Sequence, residues 1–277
     1  VQIDQWPWHG SLEGLASSYD HHHSGTKGEA MIGRRNMLRL AVAGVILLSN
    51  KSLLALENGK ELDYEDVQTP FPPKYRPFGT KPALDPEEET ARQIHANAPI
   101  GKTLLETARY FENLTIKNHE EHMYNAQWPV RWNPVIVGFY RSANVKKDLI
   151  YQKGDTTPWC SAFINWCLLR GGYERTENAM SGSFYMYKKN QGLGKVTTNP
   201  KPGDIIVFRS AIPEDAAKGF GHVGIFIEEA PGGFIVLGGN QKAKKKYSSV
   251  NTTFFPREDH RLVFHSIRSF DSIPKVK

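Results

Sequence analysis

The sequence predicts an α+β fold in which a helix that starts at a cysteine packs on a small antiparallel sheet. The run Thr157-Pro158-Trp159-Cys160-Ser161-Ala162-Phe163 begins an apolar stretch of helical length that stops at Gly171-Gly172. Three strand-like runs then follow one another with turn residues between them: Gly203–Phe208, His222–Glu228 and Gly233–Leu237.

Within the helix, Thr157 suits the N-cap and Pro158 the first position, which puts Cys160 at the third. Backbone N–H groups are unpaired there and the helix dipole is positive. A free cysteine has a pKa of about 8.5, and such a position with an imidazolium nearby lowers it to roughly 3.5–7.5. The predicted species is a thiolate nucleophile, against the ordinary reading of a small buried apolar cysteine.

His222 opens the second strand and Asn240 closes the third, in Leu237-Gly238-Gly239-Asn240-Gln241. Adjacent antiparallel strands then bring both side chains near one sheet edge, facing the cysteine helix. Taken singly, the histidine reads as structural and the asparagine as a turn residue. Together with Cys160 they supply the nucleophile, base and orienter of a papain-type site.

The order of these blocks resembles the CHAP branch of the NlpC-type cysteine peptidases and amidases, bacterial enzymes that cleave peptidoglycan. It is most similar to a CHAP-related subfamily with a Pro-Trp-Cys-x-Ala-Phe-x-Asn-Trp-Cys block, here Pro158–Cys167. Trp132-Asn133-Pro134-Val135-Ile136-Val137, Pro202-Gly203-Asp204-Ile205, Gly221-His222-Val223-Gly224 and Leu237–Gln241 belong to the same pattern, which spans roughly residues 100–270. The resemblance implies a papain-like fold with Cys160 as nucleophile, His222 as base and Asn240 as orienter, and no cofactor or metal. The family often carries an acidic residue directly before the asparagine. Gly239 stands there in this chain, so the site has three members.

The rest of the chain frames that domain. Residues 1–56 read as an N-terminal extension with an export signal: Gly33-Arg34-Arg35-Asn36-Met37-Leu38-Arg39 before the apolar run Leu40–Leu48 resembles a twin-arginine leader. That run is shorter than the roughly 20 residues of a membrane span, so no stable span is expected. Residues 57–86 hold six prolines among charges and read as a linker or wrapping arm, leaving residues 87–272 as the hydrolase domain. Asp85-Pro86-Glu87-Glu88 carries helix-start signals, and Leu104, Leu105, Ala108 and Phe111 mark a second amphipathic helix.

His119-Glu120-Glu121-His122 spaces its histidines by three, not the four of the zinc-peptidase motif, and reads as a polar turn with no metal. Cys160 and Cys167 lie about 10.5 Å apart along a regular helix, beyond the roughly 7 Å a disulfide spans. Both are expected free.

The 35 basic and 29 acidic residues leave +6. Without residues 1–55 the balance is 30 against 25, or +5. That charge suits an anionic cell-wall polymer. Lys242, Lys244, Lys245 and Lys246 cluster beside the site, but no nucleic-acid motif accompanies them. The expected protein is a monomeric, periplasmic or secreted bacterial hydrolase that cuts an amide or peptide bond in peptidoglycan, its partner, with an immunity protein as a further partner if it is delivered as a toxin. Small Gly238 and Gly239 beside Asn240 leave room for a bulky substituent and favour an amidase over an endopeptidase. An acyltransferase on the same scaffold and a non-catalytic wall-binding module are the alternatives.

Overall fold

Alternation along the strands divides the protein into two apolar layers. In a computed structural model that describes residues 79–146, 153–242 and 247–276, six strands form one antiparallel sheet: β1 (Lys195–Val196), β2 (Ile205–Ser210), β3 (Gly221–Ala230), β4 (Gly233–Gln241), β5 (Ser249–Pro256) and β6 (Leu262–Ser269). Their order across the sheet is β1-β6-β2-β3-β4-β5. Ile205, Val207, Val223, Ile225, Leu237 and Val250 point into the larger core. Their immediate neighbours Ile206, Phe208, Phe226 and Val236 join Phe234, Phe255, Leu262 and Ile267 in a smaller core on the other face.

The larger core is closed by helices α1 (Asp85–Asn97), α2 (Leu104–Glu112), α3 (Pro134–Phe139) and α4 (Cys160–Gly171). A further helix, α5 (Ser183–Asn190), lies between α4 and the sheet in sequence, and a short α6 (Pro213–Ala217) joins β2 to β3. The fold is α+β, and the antiparallel sheet and the cysteine helix are as the sequence predicts.

Local chemistry sets the helix ends. In α2, Thr103 accepts from the Glu106 N–H while the Glu106 carboxylate takes the Thr103 N–H at 2.9 Å, a reciprocal cap. Leu104, Ala108 and Phe111 of α2 are fully buried. The start of α1 differs by one residue from the sequence expectation: Leu84 is the cap, its N–H held by Glu87 Oε2 at 2.8 Å, and Pro86 sits at the second position. Asn133 caps α3 through its side-chain oxygen, and Pro134 supplies the first position.

The end of the proline-rich segment is docked on the domain. Gly79 donates to the Val130 carbonyl at 3.1 Å and accepts from Asp155, and Lys81 bridges Arg131. The twin-arginine motif, the first 56 residues and most of the linker lie outside the described residues, as do Lys244, Lys245 and Lys246. Among the described residues no helix is long and apolar enough to cross a membrane. His119 and His122 form ion-pair contacts with Glu120, and His119 also approaches the buried Glu87, which Arg131 clamps through two nitrogens.

Candidate active site

Cys160 is the first residue of α4, not the third. Trp159 is its cap, with φ −120° and ψ 10° and no side-chain hydrogen bond, and Thr157 is extended ahead of it. Threonine and proline carry the right chemistry for a helix start, but burial of the Trp159 ring against the sheet delays the first turn by two residues. The far end behaves as expected: Gly172 takes the left-handed conformation (φ 76°) that closes the helix.

Gly239 fixes how α4 meets β4. A Cβ there would lie 2.5 Å from the Trp159 ring and 2.9 Å from Phe163 Cβ, so glycine is required for this approach. The two glycines before Asn240 therefore make room for protein, Gly239 for Trp159 and Gly238 for the Gln241 amide.

Cys160 is 3% exposed. Burial pushes its thiol up to about 11, while the backbone N–H groups of Val223, Ser161 and Cys160 itself, turned toward the sulfur, pull it down. Burial wins, so in this closed arrangement the group is a thiol where the sequence suggests a thiolate. Cys167, about two turns along the same helix, is also buried and raised, and both cysteines are free.

His222 is fully buried and pushed down to about 3 by burial, hence neutral. Its ring lies flat on Phe255, with centroids 4.8 Å apart and planes 8° from parallel. It therefore belongs to the smaller core's side of β3, whereas the Cys160 sulfur reaches the same strand from the α4 side, at the N–H of the very next residue, Val223. No hydrogen bond joins the two side chains, and His222 Nδ1 is buried without a hydrogen-bond partner.

Asn240, the orienter that the resemblance implies, makes no side-chain hydrogen bond to His222. Its backbone is left-handed (φ 63°), it is fully buried, and neither side-chain amide atom has a hydrogen-bond partner. The β4–β5 register slips between Gly238 and Gln241, which reverses the alternation there and turns Gln241 to the His222 side. The Gln241 amide lies 3.1 Å from His222 Nε2. Nothing in the composition around Gly-Gly-Asn-Gln marks that slip; an asparagine after two glycines, in a position that favours a left-handed backbone, is the one signal available.

Other buried polar atoms near this strand end also lack hydrogen-bond partners: Trp159 Nε1 and Ser248 Oγ. Ser248 is tied by its backbone to Gln127, and the adjacent Ser249 pairs with Gln241. Each such atom costs about 1–3 kcal/mol if it stays unsatisfied. A cluster of them around a cysteine and a histidine marks a place built for something other than stability.

No curated protein and no solved structure matches the chain. One family does: its model spans the cysteine helix, the first three strands of the sheet's centre and the Gly-Gly-Asn end of β4. Residues 152–240 match the CHAP domain.

Proposed function

We propose that the chain is an exported bacterial cysteine hydrolase that cuts an amide or peptide bond in peptidoglycan, with Cys160 as nucleophile and His222 as base. The observation that carries this reading is the start of α4. There a buried cysteine has three backbone N–H groups at its sulfur, one of them from Val223, the residue that follows the buried His222 on β3, all inside a CHAP match. CHAP domains act as peptidoglycan amidases or peptidases, and the reaction class follows from that.

In the reaction, the Cys160 sulfur attacks the substrate carbonyl carbon as its proton passes to His222. The carbonyl oxygen gathers charge and is met by N–H groups at the helix start, including that of Cys160. The imidazolium then protonates the leaving amine, and the thioacyl group remains on sulfur. Water, giving a proton to His222, releases the acid and restores the thiol. Both groups are buried and lie on opposite faces of β3, so substrate entry must open the site and bring the imidazole to the sulfur before the first step.

That same closure favours a second reading, acyl transfer, in which an amine in place of water takes the acyl group. Glycines 238 and 239 leave no room for a sugar substituent that would favour an amidase, since protein fills the space beside them. The experiment is digestion of purified sacculi with weighing of the products. Wild type should release stem peptides with bare glycan if it is an amidase, or shortened peptides still on muramic acid if it is an endopeptidase. New amide adducts in the presence of added amines would establish transfer. Cys160→Ala should lower any of these rates at least about 10³-fold with the fold retained; persistent lysis by that variant removes the nucleophile assignment. Export through Arg34-Arg35 is tested by replacing both with lysine, which should hold the protein in the cytoplasm.

A further inference from the structure

We infer that Arg209 is a specificity-determining residue that binds a free carboxylate on the peptide stem of the substrate, close to the bond cut at Cys160. The inference deepens the cysteine-hydrolase reading and rests on it.

Arg209 breaks the pattern of β2. Ile205, Ile206, Val207, Phe208 and Ser210 are buried, and Arg209 between them is exposed. It pairs across the sheet with Gly221 of β3, as Val207 pairs with Val223, in an unbroken register. Alternation therefore puts Arg209 on the face of Val207 and Val223, the helical face, where the Cys160 sulfur meets the Val223 N–H. The neighbours agree. Tyr185 of α5 packs on the larger core and stacks on His265 with centroids 4.3 Å apart, and the Arg209 charge acts on both rings.

The way from the sulfur to Arg209 is bare, because the intervening position on that face of β3 is Gly221. A Cβ there would lie 2.1 Å from the Phe208 carbonyl oxygen, so the strand pairing itself requires the glycine. Two residues along β3 and one strand across put the Arg209 Cα roughly 8 Å from the Val223 Cα. An extended peptide covers about 3.3–3.6 Å per residue, so the gap matches roughly two residues of substrate.

Among the described residues Arg209 makes no ion pair and donates no side-chain hydrogen bond. Asp215, on the α6 turn that follows β2, lies 3.9 Å from Lys218 instead. The contrast is Arg268 on β6, which is 3% exposed and spends its guanidinium on the Gln191 and Gly194 carbonyls at 3.0 and 2.7 Å, fastening the end of α5. Burial first, then Arg268 and Arg209, hold the His265 imidazole below its usual range, so it adds no charge at neutral pH. Arginine stays charged and presents a planar fork that matches a carboxylate. An exposed cation without a partner, on the nucleophile's face and beside a bare glycine, is placed for an anion that arrives with substrate. A peptide stem carries such carboxylates.

The test uses the full chain and a soluble N-acetylmuramyl tetrapeptide with its carboxylates either free or converted to amides. Wild type should cut the free form with a kcat/KM about 10–100-fold above the amide, mostly through KM, as one charge-assisted pair would give. Arg209→Met should bring that ratio near unity, and Arg209→Lys should recover part of it, since lysine keeps the charge and loses the fork. A merely structural role would lower both substrates together. Calorimetric binding of the same two compounds to Cys160→Ala reads the site without turnover: the free form should bind about 10-fold tighter, and adding Arg209→Met should remove the difference. No preference in binding, or equal losses on both compounds in Arg209→Met, would overturn the inference. Cleavage by Cys160→Ala, or no cleavage by wild type beside a preserved binding preference, would instead overturn the hydrolase reading and leave the carboxylate site standing.

Discussion

The two faces of the sheet hold the same kind of group under different terms. On the helical face His95 is buried among Phe111, Phe139 and Trp166, its Nε2 3.1 Å from the Val135 carbonyl, and burial pushes it down to about 3. On the other face His222 is buried on Phe255 and pushed down as far. Both are neutral, and both rest against aromatic rings. What separates them is the neighbour. His95 serves a helix junction, whereas His222 shares β3 with the sulfur of Cys160. Burial and a depressed pKa do not identify a catalytic histidine; the second reactive group does.

Acid should expose what the two have in common, and it is the largest effect expected. Each ring's folded pKa lies below its unfolded value of about 6.5, so the unfolded chain binds more protons as pH falls between about 6.5 and 3. The stabilising contribution is complete above about 6.5 and is lost on acidification. Chemical denaturation at a series of pH values should show stability falling steadily below about 6.5, and His95→Phe should make the fall shallower. An unchanged slope would mean that His95 is not buried as described.

Phe255→Ala should separate the faces. It removes a fully buried ring from the smaller core and should cost about 3–5 kcal/mol. Because the ring also supports His222, activity per folded molecule should drop as well, which truncation of Phe111 on the helical face, at similar cost, should not cause. Equal losses of specific activity in both variants would erase the distinction.

A smaller effect is expected at the contact between α4 and β4. Gly239→Ala forces a methyl into the Trp159 ring and should cost about 1–3 kcal/mol. Since Trp159 caps the helix at Cys160, the thiol should become more reactive to small alkylating agents, measurable by mass spectrometry. Least disruptive is Cys167→Ala, expected to cost on the order of 1 kcal/mol with unchanged lysis, as befits a cysteine used for packing.

How much of this could be read in advance differs between elements for physical reasons. β2, β3 and β4 carry short, nearly unbroken apolar or β-branched runs bounded by glycine, and those runs declare them as strands buried on both faces. β5 and β6 do not: Asn251-Thr252-Thr253 and His265-Ser266 interrupt their apolar pattern, and their strand state depends on pairing with β4 and β2. The start of α4 was offset because Thr157-Pro158 has capping chemistry in any context, while the placement of Trp159 is tertiary. The cysteine and the histidine were legible as residue types at element starts. The contact of Gln241 with His222 was not, because it depends on one left-handed residue, Asn240, that changes which side of the strand the next side chain faces.

The closed seat of Cys160 has a further consequence for how the protein endures and how it is probed. Peroxide, disulfide exchange and iodoacetamide all act on an accessible thiolate. A sulfur that is 3% exposed with its thiol pushed up to about 11 offers them almost none at neutral pH. The resting protein is thereby guarded against conversion to sulfenic acid, and small thiol reagents will under-report its nucleophile. A covalent label must carry enough of the true substrate to open the seat it is meant to mark.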